Sequence, residues 1–360
     1  MNVQVQSINK YNKPLLYSYC EELKAQKQNI MNKKLKPLLV CIWLLSSTFI
    51  YGIPGFSGSG TLADPYQIST AADLATLATN VNGGNTYNGS YFKLMNDLSL
   101  SSYTNWDPIG NDTSVYFKGV FNGNNKIITG LTITGNSYYR GLFGNVAAGC
   151  EIKDLTIEGC SITGWEFVGA LVGQVTLDTA NIAVKITNCK SSGTLSSASS
   201  TGGLIGYLKF TNGGGNDNYS VIITNCSSSV NVSCSEEGAL GGGLIGYMEG
   251  SNASSMPIVS NCYAMGSVTG NDYSWLGGLI GYAANSKILN CYARGNVSAG
   301  ADAWAGGFAG FVQSSTVTNC YSTGGSNIFG FIGNYEAGST ISSYWDTQTS
   351  GQLTCSSPAV

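Results

Sequence analysis

Side chains that perform acid–base chemistry are few in this chain. Histidine is absent, and the 360 residues hold 17 Lys and Arg against 20 Asp and Glu. A glycoside hydrolase needs two carboxylates a few ångströms apart, which in stacked strands would come from neighbouring turns of the chain. Asp154 and Glu158 have no acidic counterpart in the next repeat, and the arginines that a lyase could use are only Arg140 and Arg294. We therefore expect no catalytic residues.

Metal and cofactor sites are also not indicated. No Cys-x-x-Cys occurs, and without histidine the soft ligands are cysteines alone. Calcium needs clustered oxygen ligands, for which Asp217 with Asn216 and Asn218, or Asp272 with Asn271, are loop candidates. Neither follows an EF-hand pattern, so we interpret both as solvated turns and predict no metal and no cofactor.

Aromatic residues do recur, and they are the candidate binding residues. The outward column of interest comprises Tyr263, Tyr292, Tyr321 and Trp345, and a second comprises Tyr207, Tyr247, Tyr282 and Phe311. Exposed aromatic strips suit sugar rings or protein partners, because they offer a large contact area at a small entropic cost. Self-stacking that stabilises the fold is the alternative role.

These residues belong to a repeat with two elements. One reads Gly-Gly-Leu-Ile-Gly-Tyr and begins at Gly202, Gly242 and Gly277, with weaker copies elsewhere. The other reads Ile-Thr-Asn-Cys or a close variant. The last glycine of the first element recurs after 23 residues (Gly310 to Gly333) to 40 residues (Gly206 to Gly246). Such variation excludes a rigid helical repeat and suits coils of short strands with loop insertions.

Within a coil, side chains alternate inward and outward, and stacking aligns equivalent residues into ladders. The sequence predicts an asparagine ladder at the bends and a buried cysteine ladder beside it, whose members are Asn188, Asn225, Asn261, Asn290, Asn319, Cys189, Cys226, Cys262, Cys291 and Cys320. We predict an all-β right-handed parallel β-helix of eight or nine coils between about residues 111 and 346, ~40 Å long.

The ladder position argues for reduced cysteines. An exported chain with 11 Cys suggests disulfides, but five occupy a core position that we assign to Leu131, Leu155 and Tyr344 in other coils. We expect these five thiols to be buried and free. The cysteines Cys150, Cys160, Cys234 and Cys355 lie off the ladder, and one disulfide among them is possible.

The start of the chain resembles an export signal. After Met31 come Lys33, Lys34 and Lys36, then an apolar stretch shorter than the ~20 residues of a membrane span. We interpret 31–52 as a signal peptide, with an uncleaved anchor as the alternative, and 1–30 as an extension from a mis-assigned start codon. Segment 53–110 is the N-terminal cap and first coil, 111–351 the repeats and 352–360 a tail.

The cap is predicted to contain a short helix. Ser69 or Thr70 would cap it, Asp73 would lie in its first turn, and Leu74 and Leu77 would form its apolar face. Such a helix would shield the open edge of the first coil.

Charge excludes nucleic acid as a partner. Residues 53–360 carry 10 Lys and Arg against 18 Asp and Glu, a net charge of −8 without a basic stripe. No second apolar stretch of spanning length follows the signal, so we expect no transmembrane segment in the mature chain and a secreted or cell-surface location.

The repeat resembles the GLUG motif, named for its Gly-Leu-x-Gly core, which continues into Asn-Cys-Tyr-Ala-x-Gly-x-Val. Residues 277–297 match closely, and the resemblance extends over roughly 58–351. It implies a bacterial surface or secreted β-helical stalk, including adhesin-like ones. Some immunoglobulin proteases carry the motif beside a zinc catalytic domain, but without histidine no HExxH helix exists here.

These observations favour a non-catalytic, adhesin-like binding stalk whose partner is a glycan or a host or cell-surface protein. The alternative is a β-helical polysaccharide lyase or hydrolase, because the fold alone does not exclude catalysis. The third possibility is an inert spacer in a larger surface protein. An acidic cluster shared by adjacent coils would favour the enzyme, and an open aromatic face the binding protein.

Overall fold

The structure is a computed structural model that describes residues 55–177, 182–209, 220–252, 255–336 and 338–355. The predicted upstream extension, the signal peptide and the candidate Asp217 lie outside these residues, as does the side chain of Lys209.

Two helices occur in the described ranges. Helix α1 (Ala71–Asn82) has Thr70 as its N-cap, and α2 (Thr347–Ser350) is a single turn capped by Asp346. The Asp73 carboxylate accepts the Thr70 amide at 2.9 Å, and the Thr70 hydroxyl accepts the Asp73 amide at 3.2 Å. This capping box and the buried side chains of Leu74 and Leu77 confirm the predicted cap helix.

The strands form three parallel sheets. The first contains Tyr66–Ile68, Tyr91–Leu94, Leu98–Ser99, Val120–Thr129, Thr132–Ile133, Glu151–Gly164, Val184–Thr187, Lys190–Ser197, Val221–Thr224, Ser227–Cys234, Ile258–Ser260, Tyr263–Ala264, Val268–Thr269, Lys287–Leu289, Tyr292–Ala293, Val297–Ser298, Thr316–Ser322 and Thr340–Trp345. The second contains Phe143–Ala147, Val172–Thr176, Ile205–Lys209, Ile245–Glu249, Ile280–Ala284, Ala309–Gln313 and Ile332–Tyr335. The third contains Val168–Gly169, Thr201–Gly202, Leu240–Gly242, Trp275–Gly277 and Trp304–Gly306.

Strands pair in parallel with their counterparts one coil later, so the described part of the chain is an all-β, β-helix-like solenoid with few helices. One inward column of the first sheet shows this in the described residues, running through Tyr66, Phe92, Phe121, Ile152, Ile186, Ile223, Val259, Ile288, Val317 and Ile341. Eight of these ten lie between residues 111 and 346. The opening segment contributes the two rungs Tyr66 and Phe92, where the sequence indicated one coil.

Side chains alternate as the period-two pattern predicts. Between residues 288 and 297 the buried positions are Ile288, Cys291, Ala293, Gly295 and Val297. Because successive side chains along a strand point to opposite faces of the sheet, the intervening side chains of Tyr292, Arg294 and Asn296 point outward.

The glycines of the first repeat element allow the chain to turn tightly between the third sheet and the second. A Cβ added at Gly277 would collide with the carbonyl oxygen of Ile280, and one added at Gly242 with that of Ile245. Leu279, between Gly278 and Gly281, is fully buried, and its amide donates to the Phe308 carbonyl of the next coil at 2.8 Å. The element therefore requires glycine for lack of space beside the backbone.

Candidate functional site

The asparagine ladder marks the bend of each coil. All five members, Asn188, Asn225, Asn261, Asn290 and Asn319, are exposed and have left-handed φ angles between 53° and 55°. Asparagine tolerates this conformation better than most residues, which explains its recurrence. Neighbouring members also bond each other: the Asn290 side-chain amide donates to the Asn261 side chain at 3.3 Å, and that of Asn319 donates to the Asn290 side chain at 3.2 Å.

Asp154 occupies the same bend one coil before Asn188. Its φ is 54°, and its carboxylate accepts the Asn188 amide at 2.9 Å. This acidic residue, considered above as a candidate for catalysis, is thus a member of the ladder.

The cysteine ladder is a hydrogen-bonded column in the core. The backbone amide of each member donates to the side chain of the next coil, from Cys189 to Cys226, Cys226 to Cys262, Cys262 to Cys291 and Cys291 to Cys320 at 3.4–3.5 Å, and from Cys320 to the Ser343 hydroxyl at 3.2 Å. Each thiol also donates to the carbonyl two residues before it at 3.1–3.3 Å. All five are buried thiols, not disulfides.

This environment favours the protonated form of Cys226 and Cys291. The Cys262 side-chain hydrogen bond, followed by burial, raises the pKa of Cys291 to about 12. Burial raises the pKa of Cys226 well above its ordinary value. Off the ladder, burial raises the pKa of Cys160 and that of Cys234 to about 12, and both are thiols as well.

Two assignments to the cysteine ladder were wrong. Leu155 does occupy the ladder position one coil before Cys189. Leu131 does not belong to this ladder, because Thr132 pairs with Ser161 and Leu131 therefore lies beside Cys160. The left-handed residues Asn124 and Asn125 interrupt the register before this point.

The second wrong assignment concerns the last coil, where Ser343, not Tyr344, follows Cys320 in the ladder. In the last strand the single residue Ser343 lies opposite the two residues Asn319 and Cys320. This bulge shifts the pairing register by one residue.

The outward column next to the cysteine ladder forms what we call the tyrosine strip, namely Tyr263, Tyr292, Tyr321 and Tyr344. The rings of Tyr263 and Tyr292 are parallel within 1°, with centroids 4.8 Å apart, and Tyr321 continues the stack at 5.1 Å. Exposure increases along the strip, to 38% at Tyr321 and 74% at Tyr344. The Arg294 guanidinium lies over the Tyr292 ring, 5.3 Å from its centroid.

Trp345 does not extend this column, contrary to the sequence interpretation. Because of the bulge, Tyr344 occupies the position after Tyr321 in the column, and Trp345 pairs with Ser322. The indole lies against Gly330 and donates to the Gln352 carbonyl at 3.2 Å. Trp345 therefore packs against the chain that follows the last coil.

A second surface, which we call the aromatic corner, lies where the third sheet meets the second. It consists of Tyr139, Phe167, Tyr207, Tyr247, Trp275, Tyr282, Trp304 and Phe311. Along the second sheet, Tyr247 stacks on Tyr282 at 4.8 Å, and Tyr282 on Phe311 at 5.2 Å. Along the third, Trp275 stacks on Trp304 at 5.5 Å. The tryptophans and Phe167 were not among the residues predicted from the sequence, although Trp275 and Trp304 each lie two residues before the glycine pair of the repeat.

Carboxylate and amide groups flank the tyrosines of this corner. The Tyr247 hydroxyl donates to the Glu249 carboxylate, and the Tyr282 hydroxyl donates to the Gln313 amide oxygen at 3.0 Å. Gln313 in turn donates to Glu336. Burial, and then the Glu249 charge, raise the pKa of Tyr207 to about 12, so its hydroxyl is a protonated donor at neutral pH.

In the described ranges, no three His, Cys, Asp or Glu residues are grouped as metal ligands would be. The loop candidate Asp272 accepts the Ala301 amide at 2.7 Å, and Asn271 donates to the Ser235 carbonyl at 2.6 Å. These contacts are loop-stabilising hydrogen bonds.

Neither helix in the described part of the chain has the length and apolar character of a membrane span.

The family model of the GLUG motif matches residues 274–298, which confirms the resemblance stated from the sequence. This segment contains Trp275, Tyr282 and Tyr292, so it contributes to both aromatic surfaces.

Two curated relatives match part of the chain. The chain is 37% identical over 127 residues to a protein of Evansella cellulosilytica provisionally named a Gly-rich membrane protein. It is 32% identical over 159 residues to halomucin of Haloquadratum walsbyi. The matches cover 33% and 42% of this chain but only 14% and 2% of those relatives.

A solved structure from Bacteroides ovatus, provisionally described as an immunoglobulin A1 protease, superposes with a TM-score of 0.61 at 20% identity. The match covers 80% of this chain and 86% of that one. At this identity the likeness concerns the fold.

Proposed function

We propose that this GLUG-motif repeat protein is a non-catalytic, adhesin-like binding stalk, exported to the cell surface or secreted, and that its solenoid is right-handed. The tyrosine strip is its contact surface for an extended glycan or protein partner. The observation that carries this proposal is the parallel stack of Tyr263, Tyr292 and Tyr321 with increasing exposure towards Tyr344.

The strip has the form of a surface for an extended partner. Its rings are parallel in pairs and one coil apart, so together they form a linear aromatic face, with the Arg294 guanidinium over Tyr292. Such a face differs from the concave pocket that usually holds a small metabolite. The exposed amides of Asn261, Asn290 and Asn319 run beside it and add hydrogen-bonding groups along its length.

The arrangement of charged groups supports a non-catalytic role. Glu158 pairs in register with Thr129, and Asp154 holds Asn188 at a bend, so these two acids have structural neighbours. On the second sheet Glu249 and Glu336 are separated by three coil steps, or ~14 Å at 4.8 Å each, beyond the spacing of a hydrolytic carboxylate pair.

Export is supported by the sequence of residues 31–52 and by the description of one relative as a membrane protein. Right-handed winding is supported by the general preference of parallel crossover connections for that hand.

The test compares adhesion of beads coated with the parent chain and with a Tyr263→Ala, Tyr292→Ala, Tyr321→Ala, Tyr344→Ala variant, alongside a glycan array. We expect the variant to fold, because the rings are at least partly exposed, and to lose most of its adhesion or array binding. Exposed Met265, replaced by alanine, serves as the control beside the strip. Unchanged binding in the folded variant would refute the proposal and leave the spacer interpretation.

A further inference from the structure

The aromatic corner is formed by different sheets from the strip, and the contacts described above give it a separate chemistry. We propose that the corner is a second binding site and that its ligand is an extended, uncharged polysaccharide chain. This inference does not depend on the function of the tyrosine strip.

The rings of the corner form a platform with one aromatic step per coil. Trp275 and Trp304 are parallel within 12° at 5.5 Å, and Trp304 also stacks on Phe311 at 5.2 Å. Trp304 is 36% exposed, so the platform is open at this end. Because the rings are stacked on one another, a sugar would meet their outer edges and the exposed part of Trp304, and the apolar C–H groups of pyranose rings can pack against this aromatic surface. The step from coil to coil is close to the length of one pyranose residue in an extended chain, so successive sugars would meet successive rings.

The rim of the corner supplies oriented hydrogen-bonding groups. Tyr247 is tied to Glu249, and Tyr282 is tied through Gln313 to Glu336. Carboxylates and amides held by such contacts keep a fixed direction, and they are suited to the paired hydroxyl groups of a sugar. In the strip, the residues two positions after Tyr263, Tyr292 and Tyr321 carry no carboxylate, since they are Met265, Arg294 and Thr323.

Charge disfavours a polyanion at the corner. Glu249 and Glu336 are acidic residues of the rim, the Glu166 charge also acts on Tyr207, and Lys209 lies at the register position beside Glu249. A sulfated or uronic-acid chain would meet more negative than positive charge. An uncharged polysaccharide is not repelled by these carboxylates.

The backbone of the corner also disfavours a peptide strand. Ile245–Glu249 and Ile280–Ala284 are paired on both sides by neighbouring coils. Their amides and carbonyls are therefore engaged in the sheet, and a peptide could not be added as a further strand there. Recognition has to come from side chains, which favours a ligand rich in hydroxyls and apolar ring faces.

The experiment is affinity electrophoresis of the full chain in gels that contain β-glucan, xylan, mannan or galactomannan, with polygalacturonate, heparin and a proline-rich peptide conjugate as the other arms. We expect retardation by at least one neutral polysaccharide. In the Trp275→Ala, Trp304→Ala variant, affinity should fall by more than about tenfold, since central aromatic anchors dominate such surfaces. Trp304→Phe, which keeps a flat ring, should restore most of the affinity lost in Trp304→Ala.

The matched control is Tyr273→Ala, because Tyr273 is a 56% exposed aromatic residue in the loop before Trp275. It should bind as the parent chain does, and circular dichroism checks that each variant is folded. Retardation only by the anionic polymers or by the peptide would overturn the inference, as would no retardation by any neutral polysaccharide. Affinity lost in the strip variant but kept in the tryptophan variant would assign the sugar to the strip, and would also overturn it.

Discussion

The tyrosine strip and the aromatic corner both stack rings from successive coils, but the rings have different neighbours. In the strip, Tyr292 contacts the rings before and after it and is otherwise partly open to solvent. In the corner, rings of two sheets meet, and Phe311 is only 4% exposed between Tyr282 and Trp304. Rings with the same coil-to-coil spacing can therefore have different roles. Substitutions in the strip should affect binding more than folding, whereas those at the buried side of the corner should affect folding.

The largest loss of stability is expected for a substitution where the chain turns from the third sheet into the second, beside the aromatic corner. Gly277→Ala would force a Cβ against the Ile280 carbonyl and against the backbone of the next coil. We expect the free energy of unfolding to fall by about 4 kcal/mol, measured by urea denaturation, because backbone contacts do not relax as side chains do.

Gly325→Ala is the control, since a Cβ there would first meet the side chain of Asn296 at 3.3 Å. It should cost less than about 1 kcal/mol. Equal denaturation midpoints for the two variants would contradict the view that the corner depends on its glycines.

The sequence predicted the repeat and the alternation well, because both depend on residue type at fixed spacing. Cys291, Ala293 and Val297 are buried as their period-two pattern requires. It failed where register depends on one residue more or fewer. The single residue Ser343 opposite Asn319–Cys320 moved Tyr344 into the strip and Trp345 out of it. A bulge changes every later side chain of a strand, and its position is set by tertiary packing.

The corner was only partly predictable for a different reason. Tyr247, Tyr282 and Phe311 follow the glycine motif and were recognised as a column. Trp275 and Trp304 lie on another sheet, and their meeting with that column depends on the angle at which the two sheets join. Local spacing contains no information about this angle.

The second prediction tests the stability of the two surfaces directly. Phe311→Ala removes a buried ring from the corner and should reduce the free energy of unfolding by about 3 kcal/mol. Tyr292→Ala removes a partly exposed ring from the strip and should cost about 1 kcal/mol. Denaturation of both variants under the same conditions gives the comparison. A larger loss for Tyr292→Ala would reverse the roles assigned to the two surfaces.

The third prediction uses the thiol column that lies behind the strip and not behind the corner. The Cys262 hydrogen bond and burial raise the pKa of Cys291 from an ordinary value of 9.0 to about 12. The folded state therefore keeps a proton that the unfolded state loses above about pH 9. Stability is fully present below that pH and is lost as the pH rises towards 12, by up to about 1.4 kcal/mol per pH unit for each such thiol.

Cys291→Ser isolates this effect, because Ser343 already occupies the same ladder position with its hydroxyl bonded to Cys320 and Val317. The variant should be slightly less stable at pH 7, yet its unfolding free energy should decrease less steeply between pH 9 and 10. Parallel slopes for parent and variant would show that the thiol does not titrate in this way.

The smallest effect separates stacking within the strip from stacking within the corner. A double-mutant cycle on Tyr263 and Tyr292 measures their coupling free energy, which we expect to be about 0.5 kcal/mol because both rings are partly exposed. The same cycle on Tyr247 and Tyr282 should give about 1 kcal/mol or more. Those two rings have the same 4.8 Å separation, but Tyr282 also contacts Trp275 and Phe311, and both hydroxyls are hydrogen-bonded to neighbouring side chains. Since the distance is matched, a larger coupling in the corner has to come from those surroundings. A strip coupling equal to that of the corner would mean that the strip is itself a structural stack, and the partner-binding role would lose its physical basis.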